Sequence, residues 1–333
     1  MRAVVLREFG TPESLKIEDI PSPDPGPYEV LVDVHAVGVN FVDLLVISGK
    51  YQFLPARPFT PGKLPVGIVR RTGPGVMGLA VGDRVLATVE HGGYAQQAVA
   101  PAEHCYRLPA GMSFVTAASM ALSYDTAWFA LHERGRLAAG ETVLVLGATG
   151  GVGAAAVQLA RAAGARVLAG VSSRARADAV LRTGADDIVD LSVENIHDGL
   201  REQVHALTDG HGVDVVVDSL GDKYLPAALR ALAWCGRLVV VGFAAGEIAS
   251  VRTNYLLLKN IEVSGLQVSD YRKKRPARMR ECFDDIFALF AKGLLHPSEA
   301  TALPLEGFAS ALGQIRDRKA PGRLVLVPSQ GHR

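Results

Sequence analysis

Cysteine is scarce: Cys105, Cys235 and Cys282 stand far apart in 333 residues, with no Cys-x-x-Cys pair and no Cys/His group at metal-binding spacing. A disulfide framework and a structural zinc site are therefore disfavoured, and a reducing, cytoplasmic setting is expected. Charge of one sign is missing too. Lys plus Arg (35) and Asp plus Glu (34) leave a formal charge of +1, so there is no general field for nucleic acid or an anionic membrane, and any basic recognition must be local. No apolar run has the length and continuity of a membrane span. The nearest, residues 142–160, is uncharged and approaches the roughly 20 residues a span needs, but Gly147, Gly150, Gly151 and Gly153 interrupt it in the pattern of strand, tight turn and helix. The opening MRAVVLREFG reads as a short strand rather than a signal peptide.

What is present is ordinary globular material, 49% hydrophobic and 21% charged, in a length that suggests two domains at roughly 150 residues each. Up to about Ser123 the chain is broken by Pro and Gly around short apolar or alternating runs at 3–6, 30–37, 66–69, 84–88 and 94–99. These predict a mostly antiparallel, barrel-like β domain. From Glu141 apolar strands (142–146, 166–170, 187–190, 213–217, 237–241, 261–264) alternate with helical patterns at 154–163, 175–182, 195–207 and 224–233. That rhythm predicts a doubly wound parallel sheet covered on both faces. After Leu266 come a basic loop, amphipathic helices near 278–292 and 305–318, and a closing strand at 323–327. This tail is too short for a core of its own and is expected to complete the first domain, giving the division 1–124 with 266–333 against 125–265. A ligand cleft between two such bodies is the natural expectation.

The run Thr142-Val-Leu-Val-Leu-Gly-Ala-Thr-Gly-Gly-Val-Gly153 carries a dinucleotide-binding fingerprint, with Ala148, Gly150 and Gly153 in its three small-residue places. Gly150 lets the backbone approach a diphosphate, Gly153 lets helix and strand pack closely, and Gly151 and Val152 begin a helix whose free N–H groups face anionic oxygens. About 20 residues further on, where an acid would bind the ribose 2′-hydroxyl of NAD, the chain reads Gly170-Val-Ser-Ser-Arg-Ala-Arg176. Ser172 and Ser173 can hydrogen-bond a phosphate and Arg174 and Arg176 can pair with it, which predicts NADPH over NADH. The alternative for the arginines is that they solvate the start of a helix.

Together these residues resemble the zinc-independent quinone oxidoreductases of the medium-chain dehydrogenase/reductase superfamily. The likeness runs through Asn40-Phe-Val-Asp43 with Gly49 and Tyr51, Pro58-Phe-Thr-Pro-Gly62, Gly92-Gly-Tyr94, Thr126-Ala127, the turn from Gly147 to Gly153, Gly184-Ala-Asp186, Gly212-Val-Asp214, Gly242-Phe243, Leu256-Leu-Leu-Lys-Asn260 and Gly322-Arg-Leu-Val-Leu326. The resemblance implies a GroES-like domain built from both ends of the chain around a Rossmann domain, NADPH, a homodimer, and hydride transfer to a quinone or an activated carbon–carbon double bond. It assigns Asn40 and Thr126 to the nicotinamide, Gly150–Gly153 to the diphosphate, Ser172 and Arg176 to the 2′-phosphate, and Gly242, Phe243, Gly265, Leu266 and Arg323 to the rest of the cofactor. Leu191 replaces a tyrosine common beside the adenosine phosphate. Zinc alcohol dehydrogenases share the fold, but Asn40 and Lys63-Leu64 stand where their ligands would be, so zinc is not expected on ligand count.

Quinone reduction asks the protein mainly to position the substrate face. An enone or enal asks for a donor at its oxygen: Tyr51 is the first candidate, with Asn40 and Tyr124 behind it, the alternative for Tyr51 being an amphipathic wall residue. Leu45, Ile47 and Leu64 replace an aromatic, an arginine and a glutamate of relatives, which means either a more apolar pocket or a repacked core. His91 and His104 read as surface histidines, and Arg272-Lys-Lys-Arg275 with Arg278 and Arg280 as a solvated face or, more sharply, a nucleic-acid stripe. The competing functions are an enoyl-thioester reductase and a nucleotide- or nucleic-acid-binding protein without turnover.

Overall fold

The computed structural model describes residues 1–173 and 176–328. In chain order the strands are β1 (Arg2–Val5), β2 (Lys16–Asp19), β3 (Glu29–Val39), β4 (Val66–Thr72), β5 (Arg84–Ala87), β6 (Gln97–Pro101), β7 (Cys105–Arg107), β8 (Thr142–Leu146), β9 (Arg166–Val171), β10 (Asp187–Asp190), β11 (Val213–Asp218), β12 (Leu232–Val240), β13 (Glu262–Gly265), β14 (Ala300–Pro304) and β15 (Arg323–Val327). The helices are α1 (Phe41–Ile47), α2 (Phe114–Trp128), α3 (Gly151–Ala162), α4 (Ala177–Arg182), α5 (Ile196–Leu207), α6 (Tyr224–Ala231), α7 (Asn254–Lys259), α8 (Val268–Lys274), α9 (Pro276–Ala291) and α10 (Phe308–Arg316).

Two compact units result. The first comprises Met1–Leu122, Arg272–Phe283 and the described residues from Pro297 onward. Its larger sheet has the order β14-β15-β3-β4-β5-β7, with β6 also pairing β3, and all its ladders are antiparallel except β14 with β15. The long strand β3 organises this unit because its apolar run is long enough to accept β15 near one end and both β4 and β6 near the other. A core of Val34, Val37, Val39, Ile47, Phe59, Tyr94, Phe308 and Leu326 fills one side. The expectation of a mostly antiparallel domain is met.

The second unit comprises Ser123–Tyr271 and Asp284–His296. Its six strands are all parallel in the order β10-β9-β8-β11-β12-β13, the doubly wound order whose direction reverses between β8 and β11. Val143, Leu144, Val145 and Leu146 of β8 are fully buried, as a central strand covered on both faces requires. Residues 284–296, assigned from the sequence to the first domain, cluster with this unit instead. The reason is specific bonding: the Trp128 indole donates to Asp285 Oδ2 at 3.1 Å and the His296 N–H donates to Gln158 Oε1 at 2.6 Å. The expected basic loop after Leu266 is helix α8.

Candidate active site

At the switch point, β8 runs directly into the glycine turn. Gly147 adopts φ +70°, and a Cβ there would press on Leu220 and Ser219 at 3.0 Å. A Cβ on Gly153 would lie 2.2 Å from the Gly147 carbonyl oxygen and 2.8 Å from Ala148 Cα, so α3 closes on the turn only because position 153 has no side chain. Gly150 is the N-cap of α3, and a Cβ on it would meet only the Gly147 oxygen, at 3.3 Å. The N–H groups of Gly151, Val152 and Gly153 open the helix without intrahelical acceptors, and Gly150 and Gly151 are solvent-accessible. Ala148 is buried and donates its N–H to the Gly170 carbonyl at 3.1 Å, tying the turn to β9. This cradle fits a diphosphate.

Beyond β9, Ser172 and Arg176 are exposed and Ser173 is half-buried, its carbonyl accepting the Arg176 N–H at 3.0 Å. Arg174 lies outside the described residues. A cavity of about 340 Å³ opens beside them, lined by Val171, Ala177, Asp178, Ile188, Asp190 and Gln203. Leu191 is 3% exposed and belongs to the apolar core, so the side chain that replaces the tyrosine of relatives points inward. On the other side of the switch point, Asp218 closes β11 and accepts the N–H groups of Leu220 at 2.8 Å and Gly221 at 2.9 Å. Its backbone carbonyl accepts from Val241 at 2.7 Å, and Ser219 Oγ donates to the Leu146 carbonyl at 3.0 Å. Asp218 thereby fixes the loop carrying Gly242 and Phe243 against the end of β8. Phe243 is 43% exposed, and Gly265 ends β13, with open space where its Cβ would stand and Leu266 next in the chain. Thr126 and Tyr124, on α2, are buried, Thr126 donating its hydroxyl to Asp125 Oδ1 at 3.2 Å.

In the first unit, Asn40 precedes α1 and its carboxamide is tied at both ends. Arg323 Nη2 donates to Asn40 Oδ1 at 2.7 Å, and Asn40 Nδ2 donates to the Gly38 carbonyl at 3.2 Å. Arg323 Nε also donates to the Ser119 carbonyl at 3.2 Å. The carboxylate of Asp43 accepts the Asn40 N–H at 2.9 Å and the Tyr94 hydroxyl at 2.8 Å. Burial pushes the Asp43 carboxyl up to about 6, against the opposing pull of the Asn40 N–H, the Tyr94 hydroxyl, Lys63 and Arg323. Burial, and then the facing Asp43, push the Tyr94 phenol well above its ordinary range.

Lys63 follows a turn that only glycine permits: Gly62 has φ +91°, and a Cβ on it would sit 2.3 Å from the Tyr94 ring. The Lys63 side chain is 1% exposed. Its ammonium donates to Glu90 Oε2 and lies 4.4 Å from the Tyr51 ring centroid. The other Glu90 oxygen accepts from Arg272 Nη1 at 2.8 Å, and the Arg272 side chain is 1% exposed as well. Burial alone would raise the Glu90 carboxyl, but Arg272 and Lys63 outweigh it and hold the group at about 2. Lys273 places its ammonium 4.3 Å from the Phe53 ring centroid, and Phe53 meets Tyr51 edge-on.

Comparison with known proteins agrees with this geometry. Residues 26–110 match the alcohol dehydrogenase GroES-like domain and residues 151–286 the zinc-binding dehydrogenase family. The chain is 37% identical over 333 residues to the quinone oxidoreductase-like protein 2 homolog of Nematostella vectensis, covering 99% of this chain and 89% of that protein. It is 36% identical over 330 residues to the quinone oxidoreductase of Rattus norvegicus, covering 98% of each. The chain belongs to the zinc-independent quinone oxidoreductases of the medium-chain dehydrogenase/reductase superfamily. Escherichia coli quinone oxidoreductase, solved in complex with NADPH, superposes with a TM-score of 0.89 at 29% identity, covering 98% of this chain and 100% of that one.

Within this family frame, several sequence readings change. Ile47 is fully buried in the first unit's core, so its departure from relatives is repacking, not a pocket wall. Arg272 is neither a solvated charge nor part of a nucleic-acid stripe, because Glu90 holds it inside the unit. Arg278 pairs with Glu281, and Arg280 donates to the Glu103 carbonyl at 3.1 Å and stacks on Tyr106. His91 and His104 line a cavity of about 240 Å³ together with Glu90, Arg272 and Lys273. Sequence reasoning named Lys63 only as a non-ligand, placed Arg272 on a solvated face or a nucleic-acid stripe, and missed Glu90. Their separation along the chain leaves no spacing signal, and only a lysine beside the Pro61-Gly62 turn hinted at them.

Proposed function

We propose that this chain is an NADPH-dependent reductase that delivers a hydride to a quinone or to an activated carbon–carbon double bond. The observation that carries this is the β8 turn, where Gly153 lets α3 approach within a distance no Cβ tolerates, at the switch point of a doubly wound sheet. Gly150, Gly151, Val152 and Gly153, with Ala148 behind them, hold the diphosphate. Ser172, Ser173 and Arg176, together with Arg174, take the 2′-phosphate, and no acid ends β9 to favour a free ribose. Asn40, Thr126, Gly242, Phe243, Gly265, Leu266 and Arg323 are assigned to the cofactor's remaining surface. Bound NADPH supplies the hydride.

The protein's own part is to fix groups in place. Arg323 and Gly38 lock the Asn40 carboxamide, leaving one Nδ2 hydrogen to donate, and Tyr51 and Tyr124 are assigned as the hydroxyl donors near a substrate oxygen. Exposed Trp234, Leu257 and Leu258, at 73%, 79% and 69%, support a homodimer. Three free thiols, at Cys105, Cys235 and Cys282, support a cytoplasmic setting, and among the described residues no helix is long and apolar enough to cross a membrane. The test is NADPH oxidation with 1,4-benzoquinone, 9,10-phenanthrenequinone and an enal, repeated with NADH. Turnover with NADPH and at least tenfold weaker use of NADH is expected, in line with the charge-assisted phosphate contacts. Equal use of the two nucleotides, or no turnover with either, overturns the reading.

A further inference from the structure

We propose that Lys63 is the electrophile of the reductase, its buried ammonium receiving the acceptor oxygen on which negative charge develops. This rests on the reductase reading above. An ammonium has three N–H donors. One goes to Glu90, the Tyr51 ring face covers the ammonium, and Lys63 has no further acceptor among the described residues. Glu90 divides its charge between Lys63 and Arg272, so the lysine is held in place without a carboxylate of its own. The backbone that carries it is equally fixed, because the Gly62 turn packs on the same Tyr94 whose hydroxyl holds Asp43 beside Asn40.

The cation is shielded from bulk water, where an electrostatic contact to an oxyanion gains most. What covers it is the Tyr51 ring, on a stretch at residues 50–58 with neither helix nor strand. A cation–π contact is weaker than a charge-assisted hydrogen bond to an oxyanion, so an acceptor that displaces the ring face gains the stronger contact. With an enone, the hydride forms a C–H bond at the β-carbon as NADPH becomes NADP⁺. The C=C pair moves to the Cα–C bond and the carbonyl pair to oxygen, giving an enolate held by Lys63. A proton from water then adds at the α-carbon and restores the carbonyl, while the ammonium keeps its protons.

The experiment uses the whole protein with Lys63→Met, Lys63→Arg and the charge-balanced double variant Lys63→Met/Glu90→Gln, which leaves no carboxylate facing a missing cation. p-Nitrophenol, whose ionisation is visible by absorbance, reports binding without turnover. The wild type is expected to bind it with its apparent pKa lowered by about one unit, an about tenfold preference for the phenolate. Both Met variants should bind it without the shift, and Lys63→Arg should keep part of it. In turnover, Lys63→Met is expected to reduce an enone about 100-fold more slowly than the wild type, within the range for losing one oxyanion donor, and a quinone at most about 10-fold more slowly. The same phenolate shift in wild type and Lys63→Met, no shift in the wild type, or parallel losses on enone and quinone overturn the proposal. If the wild type reduces neither acceptor, the reductase reading fails while the phenolate shift still decides Lys63.

Discussion

Asp43 is 1% exposed and faces two hydrogen-bond donors and two nearby cations, yet its carboxyl rises to about 6 because desolvation outweighs all four. The native state therefore holds the proton more tightly than the unfolded chain, whose carboxyl titrates near its ordinary 3.8. Between about pH 4 and 6 the folded form binds more protons at this site, so the contribution of Asp43 to stability is largest below that window and declines through it by about 3 kcal/mol. Asp43→Asn should flatten the decline, read from urea unfolding at a series of pH values; a wild type whose stability does not fall between pH 4 and 6 relative to the variant refutes the cause assigned. Glu90 runs the other way: held at about 2, it adds stability above the ordinary carboxyl range that is lost as pH falls toward 2. For the cofactor, Arg176→Ala should raise the KM for NADPH about tenfold, as loss of one charge-assisted contact implies, and leave the KM for NADH unchanged. A change of equal size for both nucleotides would show that Arg176 serves the helix start instead. Residues of this kind divide cleanly by legibility. Ser172 and Arg176 are near neighbours in sequence and could be read there, whereas Lys63, Glu90 and Arg272 meet only because β4, β5 and α8 bring distant segments to one carboxylate.

The unit of recognition one level up is β8, its turn and α3, and here sequence and structure agree most closely. Thr142–Leu146, Asp187–Asp190 and Arg323–Val327 form strands at the bounds their β-branched runs predict, since a buried strand flanked by turn residues has no competing pattern. Helix α1 is not legible in the sequence, because Phe41–Ile47 is apolar at every position but Asp43 and shows no helical period. The sequence predicts a loop where helix α8 lies, because its basic residues mask the burial of Arg272. Strand β14 pairs through a mostly exposed sequence and needs β15 to exist. The glycine turn makes the sharpest test of an element. Gly153→Ala places a methyl 2.2 Å from the Gly147 oxygen, so turn and helix must part. The expected cost is about 1–3 kcal/mol of stability, the range for overpacking, with NADPH binding weakened at least tenfold as the first N–H groups of α3 shift. Calorimetric titration with NADPH checks it, and Gly150→Ala serves as comparison because its added Cβ meets one atom at 3.3 Å. Equal binding by Gly153→Ala and wild type would remove the close approach from the account of the diphosphate site.

Across the whole chain, charge is nearly balanced and most ionic contacts are short-range pairs on the surface, such as Arg166 with Asp187 and Arg161 with Asp186, which contribute little individually. Any self-association would therefore draw on apolar surface rather than on a long-range field. In the second unit, Trp234 of β12 and Leu257 and Leu258 of α7 remain largely exposed, and β13, at the edge of the six-stranded sheet, has one side unpaired among the described residues. Exposed large side chains and an open edge are a liability in a monomer and a resource in a dimer, where one strand can extend the sheet of its copy. A stable homodimer would bury roughly 800 Å² per partner, more than three side chains supply, so a dimer through this face would have to draw on the edge strand as well. This edge is not legible in the sequence, because an edge cannot be told from a core strand until the strand order is known. Light scattering should give a mass about twice 35.3 kDa for the wild type, and Leu257→Glu with Leu258→Glu should return it to the single-chain mass, since two buried carboxylates without partners oppose association by several kcal/mol. NADPH binding should survive in that variant, because the glycine turn lies on other elements. A wild type that scatters as one chain at micromolar concentration would assign these side chains to another partner or to none.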